Sequence, residues 1–263
     1  MGEFTGRVAI VTGGANGMGE RVAHTLAAGG ATVVVADKDG ERSKLVVAEI
    51  AEAGGDAVAL PADVSEEEQV AALVDDVVRR YGRVDILDNN AAALELTAVD
   101  PDLLGVTTDV FLGTLRGNLL GPFLCTKYVL PVMLQQGAGA IVNMASVSGM
   151  AGETSLTAYG VSKAAVIQLT RATAVQYGKR GIRCNAVAPS IVLTRNTDAW
   201  APQAVKDAYL RHNVTPYLGL PQDIAEVVAF LVSDKARYMT GHVIPVDGGL
   251  RAAHPIAADL RDT

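Results

Sequence analysis

Val8-Ala-Ile-Val-Thr-Gly-Gly-Ala-Asn-Gly-Met-Gly19 runs from a β-branched apolar segment through spaced glycines into a helix-like segment that reaches Ala28. A second apolar segment, Ala31-Thr-Val-Val-Val-Ala36, then ends at Asp37, twenty residues beyond Gly17. Strand, glycine turn, helix start and strand in that order predict a dinucleotide-binding βαβ unit. Gly13 allows the sharp turn, Gly17 lets the backbone approach a pyrophosphate, Gly19 lets the helix lie close to the strand, and the helix N-terminus attracts the anion. Asn16 and Met18 belong to the same loop. Asp37 stands where a carboxylate accepts hydrogen bonds from the adenosine ribose and repels a 2′-phosphate, which predicts NAD. Lys38 beside it could pair with such a phosphate, but Asp39 follows, and Asn16 brings no charge from the glycine loop.

The chain has 263 residues and a net charge of −7. That balance, with a pI near 5.1, argues against nucleic acid or an anionic membrane as partner, since either selects a basic face. No apolar run of about 18 residues is present. The Met1–Arg7 segment leads into a strand and leaves no room for a signal peptide. Cys125 and Cys184 each stand among apolar neighbours without a Cys-x-x-Cys pair, and read as packed free thiols in a reducing cytoplasm. His24, His212, His242 and His254 are too scattered for ligand spacing, so no metal is expected.

Strand-like runs near Val8–Val11, Thr32–Ala36, Ala57–Leu60, Val84–Leu87, Ala140–Met144, Arg183–Val187 and His242–Val246 alternate with helix-like segments. The expectation is an α/β protein, a doubly wound Rossmann fold whose mostly seven-stranded parallel sheet carries helices on both faces. Ser65 and Glu68 have capping-box spacing for a helix reaching about Tyr81, and Pro221-Gln-Asp opens another that reaches about Leu231. With no repeat or linker, residues 1–263 are read as one domain. Residues 190–217 differ in texture, mixing Trp200, Tyr209 and Tyr217 with prolines and polar residues, and read as a lid-like excursion. Residues 251–263 read as a C-terminal tail.

A second chemical signal is Tyr159-Gly-Val-Ser-Lys163, whose ends share a face of a helix. A phenol titrates near 10, and an adjacent cation lowers it. Ser146 closes the run Gly139-Ala-Ile-Val-Asn-Met-Ala-Ser, at a carboxyl-terminal strand edge where open α/β sheets bind ligands.

These blocks, taken in order, resemble the short-chain dehydrogenase/reductase family from about Gly6 to Leu250. The matching segments are Thr12–Gly19, Asp63-Val64, Asn89-Asn-Ala-Ala92, Asn118, Ser146, Tyr159, Lys163, Ile182–Pro189, Thr194 and Thr240–Gly249. The resemblance implies that Tyr159 is the general acid/base, that Ser146 hydrogen-bonds the substrate oxygen, and that Lys163 lowers the phenol and holds the nicotinamide ribose. It further implies that Asn118 holds a water linking Lys163 to solvent. Asp63 and Val64 then lie beside the adenine, Asn90 and Ala91 along the adenosine ribose, and Val192 and Thr194 at the carboxamide side. Ala92 and Ser190 replace the family's usual glycines near the nicotinamide, and Asp88 replaces an apolar residue and needs a hydrogen-bonding partner if buried.

The implied activity is NAD-dependent interconversion of a secondary alcohol and a ketone. Ala93, Leu94, Leu96, the Met150–Thr154 loop and the 190–217 excursion are expected to border the pocket, favouring a hydrophobic or cyclic substrate. Sugar alcohols stay open because Glu153 and His212 could bind hydroxyls. An NADPH-dependent 3-oxoacyl reductase and a non-catalytic dinucleotide-sensing regulator are the alternatives. The long helix candidate from Thr107 to Leu134 carries Phe111, Leu115, Leu119 and Phe123, with further apolar residues around it. Together with Ala165, Leu169 and Val175 on the Tyr159 helix, it points to a homotetramer of the kind common in the family.

Overall fold

Val8–Thr12 is buried at every position, as a strand covered on both faces must be. The computed structural model describes residues 2–195, 197, 201–254 and 256–260; Trp200 lies outside them. In chain order the first half comprises β1 (Val8–Thr12), α1 (Gly17–Ala28), β2 (Thr32–Asp37), α2 (Gly40–Glu52), β3 (Asp56–Pro61), α3 (Glu67–Tyr81) and β4 (Ile86–Asn89). Then come α4 (Thr108–Leu115), α5 (Gly121–Gln136), β5 (Gly139–Met144), α6 (Thr157–Tyr177), β6 (Ile182–Pro189), α7 (Gln203–His212), α8 (Pro221–Val232), β7 (Val243–Val246) and the short α9 (Ala257–Leu260). The strands form one seven-stranded sheet in the order β3-β2-β1-β4-β5-β6-β7, with every pairing parallel.

The helices α1, α2 and α8 cover one face, through Val22, Leu26, Val46, Ile50, Ile224 and Val228. The other face is covered by α3, α5 and the end of α6, through Val70, Val77, Leu124, Val129, Met133 and Ala174. The chain turns to opposite sides after β1 and after β4, so the carboxyl ends of these neighbours open a crevice between their loops.

Local differences from the sequence reading have visible causes. The strand expected at Val84–Leu87 begins at Ile86 because the Gln136 side chain takes both the amide and the carbonyl of Val84, at 3.0 and 2.9 Å. The Ser65–Glu68 capping box does not form. The Ser65 amide and hydroxyl both donate to Asp63 Oδ1, at 2.9 and 2.7 Å, and the helix starts at Glu67 without a side-chain cap. At α8, Asp223 does reach back to the Leu220 amide, at 2.8 Å.

The long helix expected from Thr107 to Leu134 is present but interrupted by a π-helical turn, Arg116–Leu120, between α4 and α5. Pro122 explains the interruption: it has no N–H to give the Asn118 carbonyl four residues back, so the α-helical ladder cannot continue there.

Asp88 corrects an expectation. It is fully buried on β4, in register with Val11 and Val142, and neither carboxyl oxygen has a partner. Burial therefore pushes its carboxyl up to about 8. Between the ordinary carboxylate range and that value the unfolded chain ionises while the folded one stays protonated, so stability is lost as pH rises from about 4 to 8. Asp88→Asn should flatten this slope and add on the order of 3–5 kcal/mol near pH 8, but little near pH 4. Denaturant midpoints across that pH range check it; an unchanged slope would show that Asp88 does not titrate there.

Candidate active site

The glycine loop and the loop after β4 meet at the crevice. Gly13 has φ +64, and a Cβ there would come within 2.8 Å of the Ala91 Cα, so the turn excludes any side chain. At Gly19 a Cβ would run into the Gly13 carbonyl and the Asn90 side chain. The helix start thus packs against the loop itself, more than against the strand. Gly17 opens α1 and faces the Thr194 methyl, 3.2 Å from where its own Cβ would stand, while Asn16 stands at the N-cap position without a side-chain capping bond and Met18 packs against the core.

Thr12, which the motif reading passed over, ties the two loops together. Its hydroxyl accepts from the Asn90 and Ala91 amides at 3.1 and 3.2 Å and donates to the Asp88 carbonyl at 3.2 Å. Asn90 turns its side-chain amide to the Gly13 carbonyl, at 3.2 Å.

The carboxylate that ends β2 is equally fixed. Asp37 Oδ2 accepts from the Ala15 amide at 3.1 Å and Oδ1 from the Asp39 amide at 3.0 Å, which holds it beside the glycine loop. Lys38 is committed to Glu95, at 3.1 Å. Arg42, the other cation here, donates to the Ala15 carbonyl and pairs with Glu20 and Glu49, at 2.7 and 3.3 Å. Asp63 and Val64 follow β3 nearby, with Val64 packed on Gly121. The crevice therefore has an N-terminal helix end, a side-chain-free turn and a fixed carboxylate, which together fit a dinucleotide.

A second cluster is assembled from two elements. Ser146 follows β5, and Tyr159 and Lys163 lie on the first turns of α6. Lys163 is 2 % exposed; its ammonium donates to the Met144 carbonyl at 2.8 Å and stands 5.6 Å from the centre of the Tyr159 ring. Burial pushes Lys163 down to about 8. For Tyr159, burial outweighs the opposing Ser146 hydroxyl, and with Glu153 and Tyr209 adding to it, pushes the phenol up to about 12. The expected lowering of the phenol by Lys163 is thus not what dominates in the protein by itself: the dry pocket that brings the two groups together disfavours the charged form of each.

Asn118 sits in the π-helical turn with its side chain fully used. It accepts from the Ala93 amide at 2.8 Å and donates to Ser162 Oγ at 3.0 Å, which in turn donates to the Tyr159 carbonyl at 2.6 Å. Ser162 went unread, although it lies one turn from Tyr159.

Val147, Gly152, Glu153, Tyr209, Leu250 and Arg251 are among the residues lining a cavity of about 470 Å³ next to this cluster. Glu153 accepts from the Ser148 hydroxyl, which accepts from Ser146 at 3.2 Å. The 150–154 loop and Tyr209 border the cavity as expected; His212, Tyr217, Leu94 and Leu96 do not line it, and Ala93 is buried beneath Asn118. Leu250 and Arg251 were not anticipated, and Arg251 with Glu153 makes the mouth more polar than the sequence suggested. Val192 bridges to Gly219, and Thr194 is held by Thr197 at 2.9 Å.

A family model described as enoyl-(acyl carrier protein) reductase matches residues 13–251. A probable short-chain type dehydrogenase/reductase of Bradyrhizobium diazoefficiens is 43% identical, with 98% of this chain and 92% of that protein covered. The meso-2,3-butanediol dehydrogenase of Serratia marcescens is 38% identical, with coverage of 95% and 96%. The crystal structure of a 7α-hydroxysteroid dehydrogenase complexed with NADH and 7-oxo glycochenodeoxycholic acid superimposes with a TM-score of 0.89 at 33% identity, covering 94% of each chain. A sheet order, glycine crevice and Ser-Tyr-Lys cluster of this kind, together with these matches over nearly the whole length, place the chain in the short-chain dehydrogenase/reductase family of oxidoreductases.

Proposed function

We propose that this oxidoreductase interconverts a secondary alcohol and a ketone with NAD, using Tyr159 as general acid/base. The observation that carries the reading is the convergence of Ser146, Tyr159 and Lys163 on one edge of the sheet, between the glycine crevice and the 470 Å³ cavity. The nicotinamide, when bound, supplies or accepts the hydride. Tyr159 moves the proton at the substrate oxygen, and Ser146 donates a hydrogen bond to that oxygen as charge develops on it. Lys163, anchored by the Met144 carbonyl, holds the ribose and keeps a positive charge beside the phenol. Tyr159, raised by burial, would be lowered by any positive charge brought into this dry pocket, as an oxidised nicotinamide would bring. The Asn118 carbonyl, without an amide donor from Pro122, holds the water that links Lys163 to solvent. Val192 and Thr194, opposite Gly17, hold the carboxamide side.

Asp37 supports NAD over NADP, and both neighbouring cations are already paired, Lys38 with Glu95 and Arg42 with Glu20. The substrate reading is a hydrophobic or cyclic alcohol, in keeping with the hydroxysteroid relative, and the Glu153 and Arg251 mouth adds a polar end. A 36% identical relative from Thermotoga maritima, described as a 3-oxoacyl-[acyl-carrier-protein] reductase, favours one other reading, a 3-oxoacyl thioester reductase, with Arg251 meeting an anionic carrier; the fixed Asp37 opposes its usual NADPH. A dinucleotide sensor has no use for the Ser-Tyr-Lys cluster. Residues 190–217 are read as a lid within a single domain, and the buried free thiols Cys125 and Cys184 suit the cytoplasm. No helix among the described residues is long and apolar enough to cross a membrane. The partner surface is a groove of about 500 Å³ lined by Leu112, Leu115, Leu119, Phe123 and Leu169. Leu112 and Phe123 are exposed along it and Val175 farther along α6, and a second copy is its proposed occupant, within a homotetramer.

Three outcomes test these assignments. Tyr159→Phe should abolish turnover while leaving NADH affinity within about twofold, because only the exchangeable proton is lost. In the wild type, oxidation should rise with pH and ketone reduction fall, since oxidation needs the phenolate and reduction the phenol. Turnover by Tyr159→Phe above a small fraction of wild type would remove Tyr159 from the mechanism.

Steady-state constants for NAD and NADP should show a strong preference for NAD. Asp37→Ala should narrow it and also weaken NAD itself by freeing the Ala15 amide. Asp37→Ser with Asp39→Arg should move the preference toward NADP, at a cost of about 1 kcal/mol from loss of the Asp39 cap on α2. Equal wild-type efficiency with both cofactors sinks the assignment.

Light scattering should give about four times the chain mass of 27.3 kDa, and Phe123→Asp should lower it. A wild-type mass of one chain would show that the groove is not an interface.

A further inference from the structure

α6 begins without a cap of its own. Its N-cap residue is Leu156, which has no side-chain acceptor and is the one described non-glycine residue with positive φ, at 62. Yet Tyr159 lies in this first turn, where helices fray and the leading amides have no intrahelical partners. A remote segment satisfies them. Asp100, 3 % exposed in the loop between β4 and α4, accepts from the Ala158 amide with Oδ1 at 3.0 Å and from the Tyr159 amide with Oδ2 at 2.9 Å. The Asp100 carbonyl accepts from the Leu156 amide at 2.9 Å, and the Pro101 carbonyl accepts from the Thr157 hydroxyl at 3.0 Å. Gly160 closes the set by donating to the Leu156 carbonyl at 2.8 Å.

We propose that Asp100 is the positioning residue for Tyr159, bolting the first turn of α6 to the loop after β4. The inference rests on the reading of Tyr159 as general acid/base. A carboxylate at a helix N-terminus is favoured by the partial positive charge there as well as by its hydrogen bonds. Both oxygens are spent on consecutive amides, one of them Tyr159's own, so the backbone that carries the phenol is fixed by a side chain 59 residues away. The strained conformation at Leu156 persists because Asp100 and Gly160 hold the peptide groups on either side of it. Asn118 braces the same two segments from below, through the Ala93 amide and Ser162. Lys163 depends on neither contact, because Met144 holds its ammonium a turn deeper.

Amide hydrogen exchange and kinetics on the full-length protein test this together. Asp100→Ala should remove exchange protection at Ala158 and Tyr159 while leaving residues 166–174 protected. It should lower kcat about 10- to 100-fold, the scale expected for a misplaced catalytic group, and change the NADH dissociation constant less than about twofold. Asp100→Asn keeps one acceptor oxygen and should fall between wild type and Asp100→Ala in both readouts; it carries the measurement if the alanine variant does not fold. Unchanged protection at Ala158 and Tyr159, or lost protection with wild-type kcat, would overturn the proposal, as would a parallel loss of NADH affinity and kcat. Failure of the wild type to turn over any alcohol or ketone would count against the proposed function, and the exchange result would still decide the clamp.

Discussion

The backbones of the loops after β1 and after β4 pass so closely at Gly13 and Ala91 that no side chain fits between them, and the rest of the site is arranged around that contact. A parallel sheet gathers all its carboxyl ends at one edge, but only at the reversal between β1 and β4 do the following loops diverge to opposite faces. The Thr12 hydroxyl holds the divergence open by serving three backbone groups at once. The crevice is consequently a property of backbone geometry, and the side chains around it either brace it, as Asn90 does, or stay out of it, as the glycines do.

Dryness has opposite consequences at the two ends of the site. At the Ser146, Tyr159 and Lys163 cluster it raises Tyr159 and lowers Lys163, so the charged form of each is disfavoured. Such a pair is sensitive to any charge brought near, because little water remains to screen it. At the Asp37 end of the crevice the groups are more exposed, and their arrangement is fixed by hydrogen bonds and ion pairs. Asp37 is pinned by two amides, and the cations that could answer a phosphate are occupied by Glu95, Glu20 and Glu49. The exposed Lys38–Glu95 pair contributes little to stability, while Arg42 and Glu20 pair with most of their side-chain surface covered; together these pairs set the local sign of the field.

α6 shows how burial and precision are reconciled. Its first turn must reach the sheet edge, where Ser146 waits, and its sequence there offers no cap. The loop after β4 supplies one, and the π-helical turn at Asn118 supplies a second brace at the same height. Both braces come from the segment that leaves the crevice, so the placement of the phenol and the path of that loop are mechanically linked.

What the sequence by itself determined is whatever depends on short spacings. The strand-turn-helix around Gly13–Gly19, the carboxylate at Asp37, the shared helical face of Tyr159 and Lys163, and the alternation that makes the sheet parallel all follow from residues within about one element of each other. The π-helical turn was half legible, since Pro122 four residues after Asn118 breaks the ladder whatever the surroundings. Even local signals failed where a better acceptor competed, as Asp63 did for Ser65, or where a distant side chain intervened, as Gln136 did at Val84. Only the tertiary structure decided that Asp100 caps α6, that Glu95 occupies Lys38, that Arg251 reaches the cavity mouth and that Asp88 is buried without a partner. Each of these joins or isolates groups far apart in the chain, and a hydrogen bond between such groups leaves no periodicity in the sequence: its geometry exists only once the sheet has brought the loops together.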